Sequence, residues 1–260
     1  MAGYYERPSR LLLALEIPRA GLDVASAAAS WPLLRGAPRG DGHPVLVLPG
    51  WGASDVSTRA LRGFLRDRGY HVHAWRLGRN LGPSPETVEG LRDRVGELAR
   101  RHGRQMSLVG WSLGGIYVRE IARAAPGLMR LVITLGSPFR LRDRTASSLG
   151  GLFEAVGARS GRASPSDPRP PEDQREPLPV PATSIYTRSD GVVPWRSCLE
   201  TASPTAESIE VSGSHAGLGH NAAALWAIAD RLAQPEGTWH PFRPEGASRI
   251  LFPPRRSIRR

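Results

Sequence analysis

The segment Gly110-Trp111-Ser112-Leu113-Gly114 places a serine between two glycines in the pattern G-x-S-x-G. That pattern suits a serine held on a strained turn between a strand and a helix, because side chains at the flanking positions would collide there. MSLVG before the motif reads as the strand and LGGIYVREIARAAP after it as the helix. The alternative, a serine that only caps a helix, needs none of this context. A serine hydroxyl is a poor nucleophile near neutral pH, so it requires a base within hydrogen-bond reach and a carboxylate to orient that base.

On a strand-turn-helix of this kind the acid and the base follow the serine in that order, each on a loop after a later strand. Asp190 stands in SDGVVPW directly after the strand-like TSIYT, and is the expected acid; an Asp-Gly turn is compatible with that role. Asp143, after the preceding strand, is held in reserve. Two histidines share SGSHAGLGHN. His215 follows the strand-like SIEV and is the expected base, whereas His220 precedes the last helix as a cap or packing residue. His43, His71 and His73 come too early in the chain to serve.

An oxyanion formed by attack on a carbonyl needs two preorganised backbone donors. One is expected from the N–H of Leu113, the residue after the nucleophile, and the other from the N–H of Trp51 in LPGWG. The Trp51 indole either walls an acyl pocket or anchors the N-terminal helices. Further pocket residues are expected at Trp111, Phe139, Val192 and Leu218. No His/Cys/Asp cluster has metal-ligand spacing, and the chemistry calls for no metal or organic cofactor.

These residues need strands and helices to hold them. Pro44 to Leu48 is a short apolar run ended by Pro49 and Gly50, a buried strand. A helix is expected from about Asp55 to Arg68 with Ala60, Leu61, Phe64 and Leu65 on one face, then a strand through Tyr70 to Trp75. Ser84 and Pro85 open a helix with Val88, Leu91, Val95 and Leu98 as its buried stripe, and Gly103 closes it. Gln105 to Gly110 is a strand, Leu113 to Ala125 a helix, and Leu131 to Leu135 a strand. Strands at Thr183 to Tyr186 and Ser208 to Val211 follow, then a helix from about Asn221 to Leu232 with Leu225, Trp226, Ala229 and Leu232 inward. This alternation predicts an α/β fold, a mostly parallel sheet flanked by helices.

Three units are expected: an N-terminal helical segment 1–43 packed on the core, a core 44–234 with a cap or lid insertion at about 139–181, and a basic tail 235–260. In the first, Arg7 to Leu34 reads as one or two helices broken by Pro18 and closed by Pro32, packed on the core rather than attached to a membrane. The insertion contains SPSDPRPPEDQREPLPVP, too rich in proline and charge for regular structure, and a connection of this length is usually functional.

A 260-residue chain that is 40% hydrophobic and 23% charged is an ordinary globular protein, and one large domain is the default. Its net charge of +11 comes entirely from arginine, since the chain has no lysine. Arg62, Arg66, Arg68, Arg92, Arg94, Arg100 and Arg101 alternate with acids on expected helix surfaces, which argues for solvated faces and against nucleic acid as a partner. Only PPRRSIRR at the end is a concentrated basic run. The single Cys198 indicates no disulfide, and a cytoplasmic location is favoured over a secreted or membrane-peripheral one. The apolar run Leu11 to Leu15 is too short to span a membrane, so only peripheral membrane contact is open to the chain.

On LPGWG, GWSLGG, TLGSPF, SDGVVPW and GSHAGL, which cover roughly Pro44 to Leu232, the chain resembles the α/β-hydrolase superfamily. It is similar in particular to the small bacterial lipase/esterase members and the GPI-inositol-deacylase-like branch. The catalytic histidine of small bacterial lipases is likewise followed by a small or hydrophobic residue, Gly and Leu, matching Ala216-Gly217-Leu218 here. The resemblance implies a small-molecule or lipid ester as substrate and a mobile cap between Leu135 and Thr183. Two features depart from it: the donor loop has Pro-Gly where His-Gly is commoner, and the cap matches no known substrate class. The GWS elbow is also similar to that of polyester hydrolases, which differ in their disulfides and acid context. Esterase or lipase action is thus the expectation. Acyl transfer and thioester cleavage would use the same residues, and a non-catalytic binding protein on the same fold is the different-class alternative.

Overall fold

A computed structural model describes residues 5–141, 146–148, 150, 170 and 172–254. Strands β1 (Pro44–Leu48), β2 (His71–Ala74), β3 (Met106–Trp111), β4 (Met129–Leu135), β5 (Ala182–Tyr186) and β6 (Ala206–Glu210) form one sheet in the order β2-β1-β3-β4-β5-β6. Every neighbouring pair is parallel. β1, β3, β4 and β5 are buried along their whole length, as continuous apolar runs must be when both faces of a sheet are covered.

Side-chain alternation divides the core in two. Val45, Val47, Val109 and Ile133 join Leu61, Phe64 and Leu65 of α4 (Arg59–Asp67) and Leu225, Ile228 and Leu232 of α7 (Ala222–Leu232). On the other face Leu46, Leu48, Leu108 and Val132 meet α5 (Pro85–His102) through Leu91, Val95 and Leu98, and α6 (Leu113–Ala124) through Val118 and Ile121. The chain leaves β1 toward β2 on one side and returns to β3 on the other. That reversal makes the C-terminal ends of β1 and β3 the switch point of the sheet, the place where ligands bind in open α/β sheets.

Several local expectations are corrected. α4 starts at Arg59 because Asp55 turns away, its carboxylate accepting the N–H groups of Trp75 and Arg76. Ala60 and Val88 are exposed, at the outer margins of their helices. Arg68 is buried rather than solvated and donates to the Arg35 and Ala37 carbonyls. Proline does not break the N-terminal segment where expected. The division falls at Leu15, between α1 (Arg10–Ala14) and α2 (Glu16–Ala29). Pro18 sits in the first turn of α2, where no intrahelical N–H is required, and Pro32 helps begin α3 (Trp31–Leu34) rather than closing a helix.

The orientation of α2 reverses the usual rule. Its buried residues are Glu16 and Asp23, while Ile17, Leu22 and Val24 face outward. The helix lies over loops that present backbone N–H groups, and these need acceptors rather than hydrocarbon. The C-terminal segment is no free tail before residue 254, because Phe242 is buried and packs on Phe252 with ring centroids 4.9 Å apart. The basic run beyond it lies mostly outside the described residues. Among the described residues no helix is long and apolar enough to cross a membrane.

Candidate active site

Ser112 joins β3 to α6 with φ 51° and ψ −118°, a left-handed conformation for a residue with a side chain. Such strain persists only where the surroundings over-determine it, and it concentrates at functional sites. Here the Ser112 N–H is held by the Leu135 carbonyl at 2.8 Å. The glycines allow the turn by close approach: a Cβ on Gly110 would lie 2.4 Å from the Gly114 carbonyl oxygen, and one on Gly114 2.7 Å from the Leu48 and Pro49 oxygens.

The three residues expected for acyl chemistry come together from distant parts of the chain. His215 Nε2 lies 3.1 Å from Ser112 Oγ, and His215 Nδ1 lies 2.6 Å from Asp190 Oδ2. An ionised Asp190 makes Nδ1 the donor, so the Nε2 lone pair faces the serine hydroxyl. The other Asp190 oxygen accepts the N–H groups of Val192 and Val193, both at 2.8 Å. His215 is buried, which by itself lowers its pKa. The charge and hydrogen bond of Asp190 and the charge of Glu16 outweigh this, and the net direction is upward.

The loop after β1 lies against the serine. Gly50 follows β1, and a Cβ there would stand 3.3 Å from Ser112 Cβ. Leu113 opens α6, so its N–H is among those that a helix start leaves without an intrahelical partner. Trp51, next in the loop, is half-buried. Sequence reasoning missed the residue that pins this loop. Buried Asn80 donates from Nδ2 to the Pro49 carbonyl at 2.9 Å, its carbonyl accepts the Gly52 N–H at 2.7 Å, and its own N–H donates to Ala53 at 2.8 Å.

The expected pocket residues have separate fates. Leu218 is fully buried next to the His215 ring: a Cβ on Gly136 would lie 2.7 Å from Leu218 and 3.1 Å from His215 Nδ1. Trp111 is also buried, and its indole N–H donates to the His215 carbonyl at 3.1 Å. Phe139 lies beneath the Arg119 guanidinium, 3.7 Å from its ring centroid. Val192 is buried beside Asp190, and its carbonyl accepts from Ser147 and Ser148. His220 packs edge-on against Trp111, 6.0 Å between centroids. His43 lies at the opposite, N-terminal end of the strands, its ring between Asp41 and Ser107. Asp143 and most of the expected cap lie outside the described residues. The return from that insertion is anchored on α6, where Glu172 and Glu200 both pair with buried Arg119. Among the described residues no three His, Cys, Asp or Glu side chains are arranged to hold a metal.

No protein-family model matches the chain, and no curated protein matches its sequence. Solved structures do match in three dimensions. A monoacylglycerol lipase from Paleococcus ferrophilus superimposes with a TM-score of 0.53 at 16% identity, over 76% of this chain and 96% of that one. Lipase B of Aspergillus fumigatus gives 0.53 at 16% identity, over 81% of this chain and 56% of that one. The pyrethroid hydrolase PytH gives 0.50 at 19% identity, over 73% of this chain and 96% of that one. The chain therefore has the α/β-hydrolase fold, as its parallel sheet and strand order require.

Proposed function

We propose that this protein is a serine hydrolase that cleaves carboxylic esters through an acyl-enzyme intermediate, with Ser112 as nucleophile, His215 as general base and acid, and Asp190 as the group that orients His215. The observation that carries this reading is the hydrogen-bonded chain from Asp190 through His215 to a serine in a left-handed turn. Its place at the sheet's switch point, and the ester-cleaving names of two structural neighbours, a monoacylglycerol lipase and a lipase, are in keeping with it.

As Ser112 Oγ attacks the ester carbonyl carbon, its proton passes to His215 Nε2. The carbonyl oxygen, now anionic, accepts hydrogen bonds from the N–H groups of Leu113 and Trp51. Collapse of this intermediate breaks the carbon–oxygen bond to the alcohol, which leaves with the proton from His215. Water then adds to the acyl group with His215 again as base, and the carboxylic acid departs. Every group required belongs to the chain itself.

The test is hydrolysis of p-nitrophenyl esters from acetate to palmitate by wild type and Ser112→Ala. Activity that falls by about a millionfold in the variant supports the serine mechanism, since removal of such a nucleophile has that effect. Full activity in the variant refutes it. Wild type that turns over no ester and takes no label from a fluorophosphonate refutes the function as a whole.

A further inference from the structure

Glu16, in the first turn of α2, has no role in the chemistry above, yet its carboxylate is buried and both of its oxygens are engaged far away in sequence. Oε1 accepts the Gly191 N–H at 2.8 Å and Oε2 accepts the Ala216 N–H at 2.9 Å. These are the residues immediately after Asp190 and His215. Neither oxygen serves the amides of α2 itself.

Two more charged residues on the same face of α2 continue the contact at helical spacing. Arg19 donates to the Ser189 carbonyl at 2.8 Å, to Ser189 Oγ at 2.7 Å and to the Gly213 carbonyl. Asp23 accepts the Ser214 N–H at 2.9 Å and its hydroxyl at 2.7 Å, and takes Asn221 Nδ2 at 2.8 Å. The fit is close at the backbone as well: a Cβ on Gly191 would lie 2.5 Å from the Leu12 carbonyl group.

We propose that Glu16 is a positioning residue for the Ser112 site, a carboxylate that ties the loop bearing Asp190 to the loop bearing His215, with Arg19 and Asp23 extending the same clamp. The proposal rests on the reading of Ser112, His215 and Asp190 as ester-cleaving machinery. Two loops that each carry one partner of a 2.6 Å hydrogen bond must be held in register, and one rigid acceptor with two oxygens does this directly. Glu16 also adds a second negative charge behind the imidazole. The charged and titratable groups around this point are Asp190, Glu16, Arg19 at 3.7 Å from Glu16, Asp23, His220 and the buried Cys198, whose thiol feels the Asp190 charge.

The test uses full-length Glu16→Gln and Glu16→Asp, with ester kinetics, an NMR titration of the His215 imidazole and a melting curve for each. The Gln side chain turns a donor toward one of the two N–H groups and removes the charge. Its kcat should fall about a hundredfold, the scale on which small misplacement of reacting groups acts. KM should change little, and His215 should titrate at lower pH than in wild type. Asp keeps the charge but is too short to span both loops, so kcat should fall while His215 titrates closer to the wild-type value. Wild-type kcat in Glu16→Gln, or an unmoved His215 titration, overturns the proposal. Should Glu16→Gln not fold, amide hydrogen exchange in wild type decides: Gly191 and Ala216 must be protected together, and rapid exchange at either is contrary to the clamp. Wild type inert toward esters and the fluorophosphonate would refute the proposed function, and the substrate-free His215 titration would still judge Glu16.

Discussion

One carboxylate oxygen of Asp190 stands 2.6 Å from Nδ1 of His215 while the other accepts the N–H groups of Val192 and Val193. The carboxylate is tethered on its far side, so it cannot turn away from the imidazole. Asp190→Asn should therefore present an amide donor to Nδ1 and force the wrong tautomer, with a loss in kcat of about ten-thousandfold.

The same substitution has a signed effect on pH dependence. In the proposed mechanism neutral His215 is the base, so kcat/KM should rise with pH through the His215 pKa, which lies above its ordinary value of 6.5. Without the Asp190 charge the imidazolium is less favoured. The acid limb of the residual activity should move to lower pH, and an unmoved limb would show that His215 does not titrate in that step.

Gly114 separates the start of α6 from the end of β1. A methyl group there would meet the Leu48 and Pro49 oxygens at 2.7 Å, and neither backbone can yield without moving the donor loop. Gly114→Ala should cost about 1–3 kcal/mol in urea unfolding, the usual range for overpacking. Gly127→Ala, which meets nothing within 4 Å, is the control and should stay within about 0.5 kcal/mol.

Arg119 is the shared partner of two buried carboxylates, Glu172 and Glu200. Arg119→Ala leaves Glu200 without its ion-pair partner, while Glu172 keeps Arg123 at 2.7 Å, and should cost about 3–5 kcal/mol, as loss of one member of a buried pair does. Burial already raises the Glu200 pKa against the pull of Arg119. Loss of Arg119 raises it further, so the folded state binds a proton that the unfolded state releases above about pH 4.5. Stability is then lost as pH rises, and the deficit relative to wild type should be smaller at pH 5 than at pH 8.

Burial holds His43 at a pKa of about 4, against 6.5 for the unperturbed group. A depressed value contributes stability that is present above pH 6.5 and lost as pH falls through 4. His43→Gln should flatten the decline of Tm over that interval. An unchanged slope would exclude His43 as a source of acid sensitivity.

The strands, the helices around them and the three side chains that meet at Ser112 were legible in the sequence because each rests on a local signal. Continuous apolar runs mark strands buried on both faces. Ser84-Pro85 and Gly103 delimit α5 through the chemistry of helix ends, and the glycines around Ser112 are needed within five residues of chain. The order of serine, acid and histidine is the one that the resemblance to α/β-hydrolases implies. The tertiary structure decided what depends on contacts between distant segments. Asn80 pins the loop after β1 through hydrogen bonds that no motif encodes. Leu218 and Trp111 are buried beside His215, and only the fold sets which side of a loop is covered. Glu16, Arg19 and Asp23 form a charged stripe on a helix that otherwise reads as apolar, and the spacing was visible in the sequence. Its inward direction was not, because the acceptors it supplies answer backbone N–H groups 175 and 200 residues away, and only the folded chain brings those together.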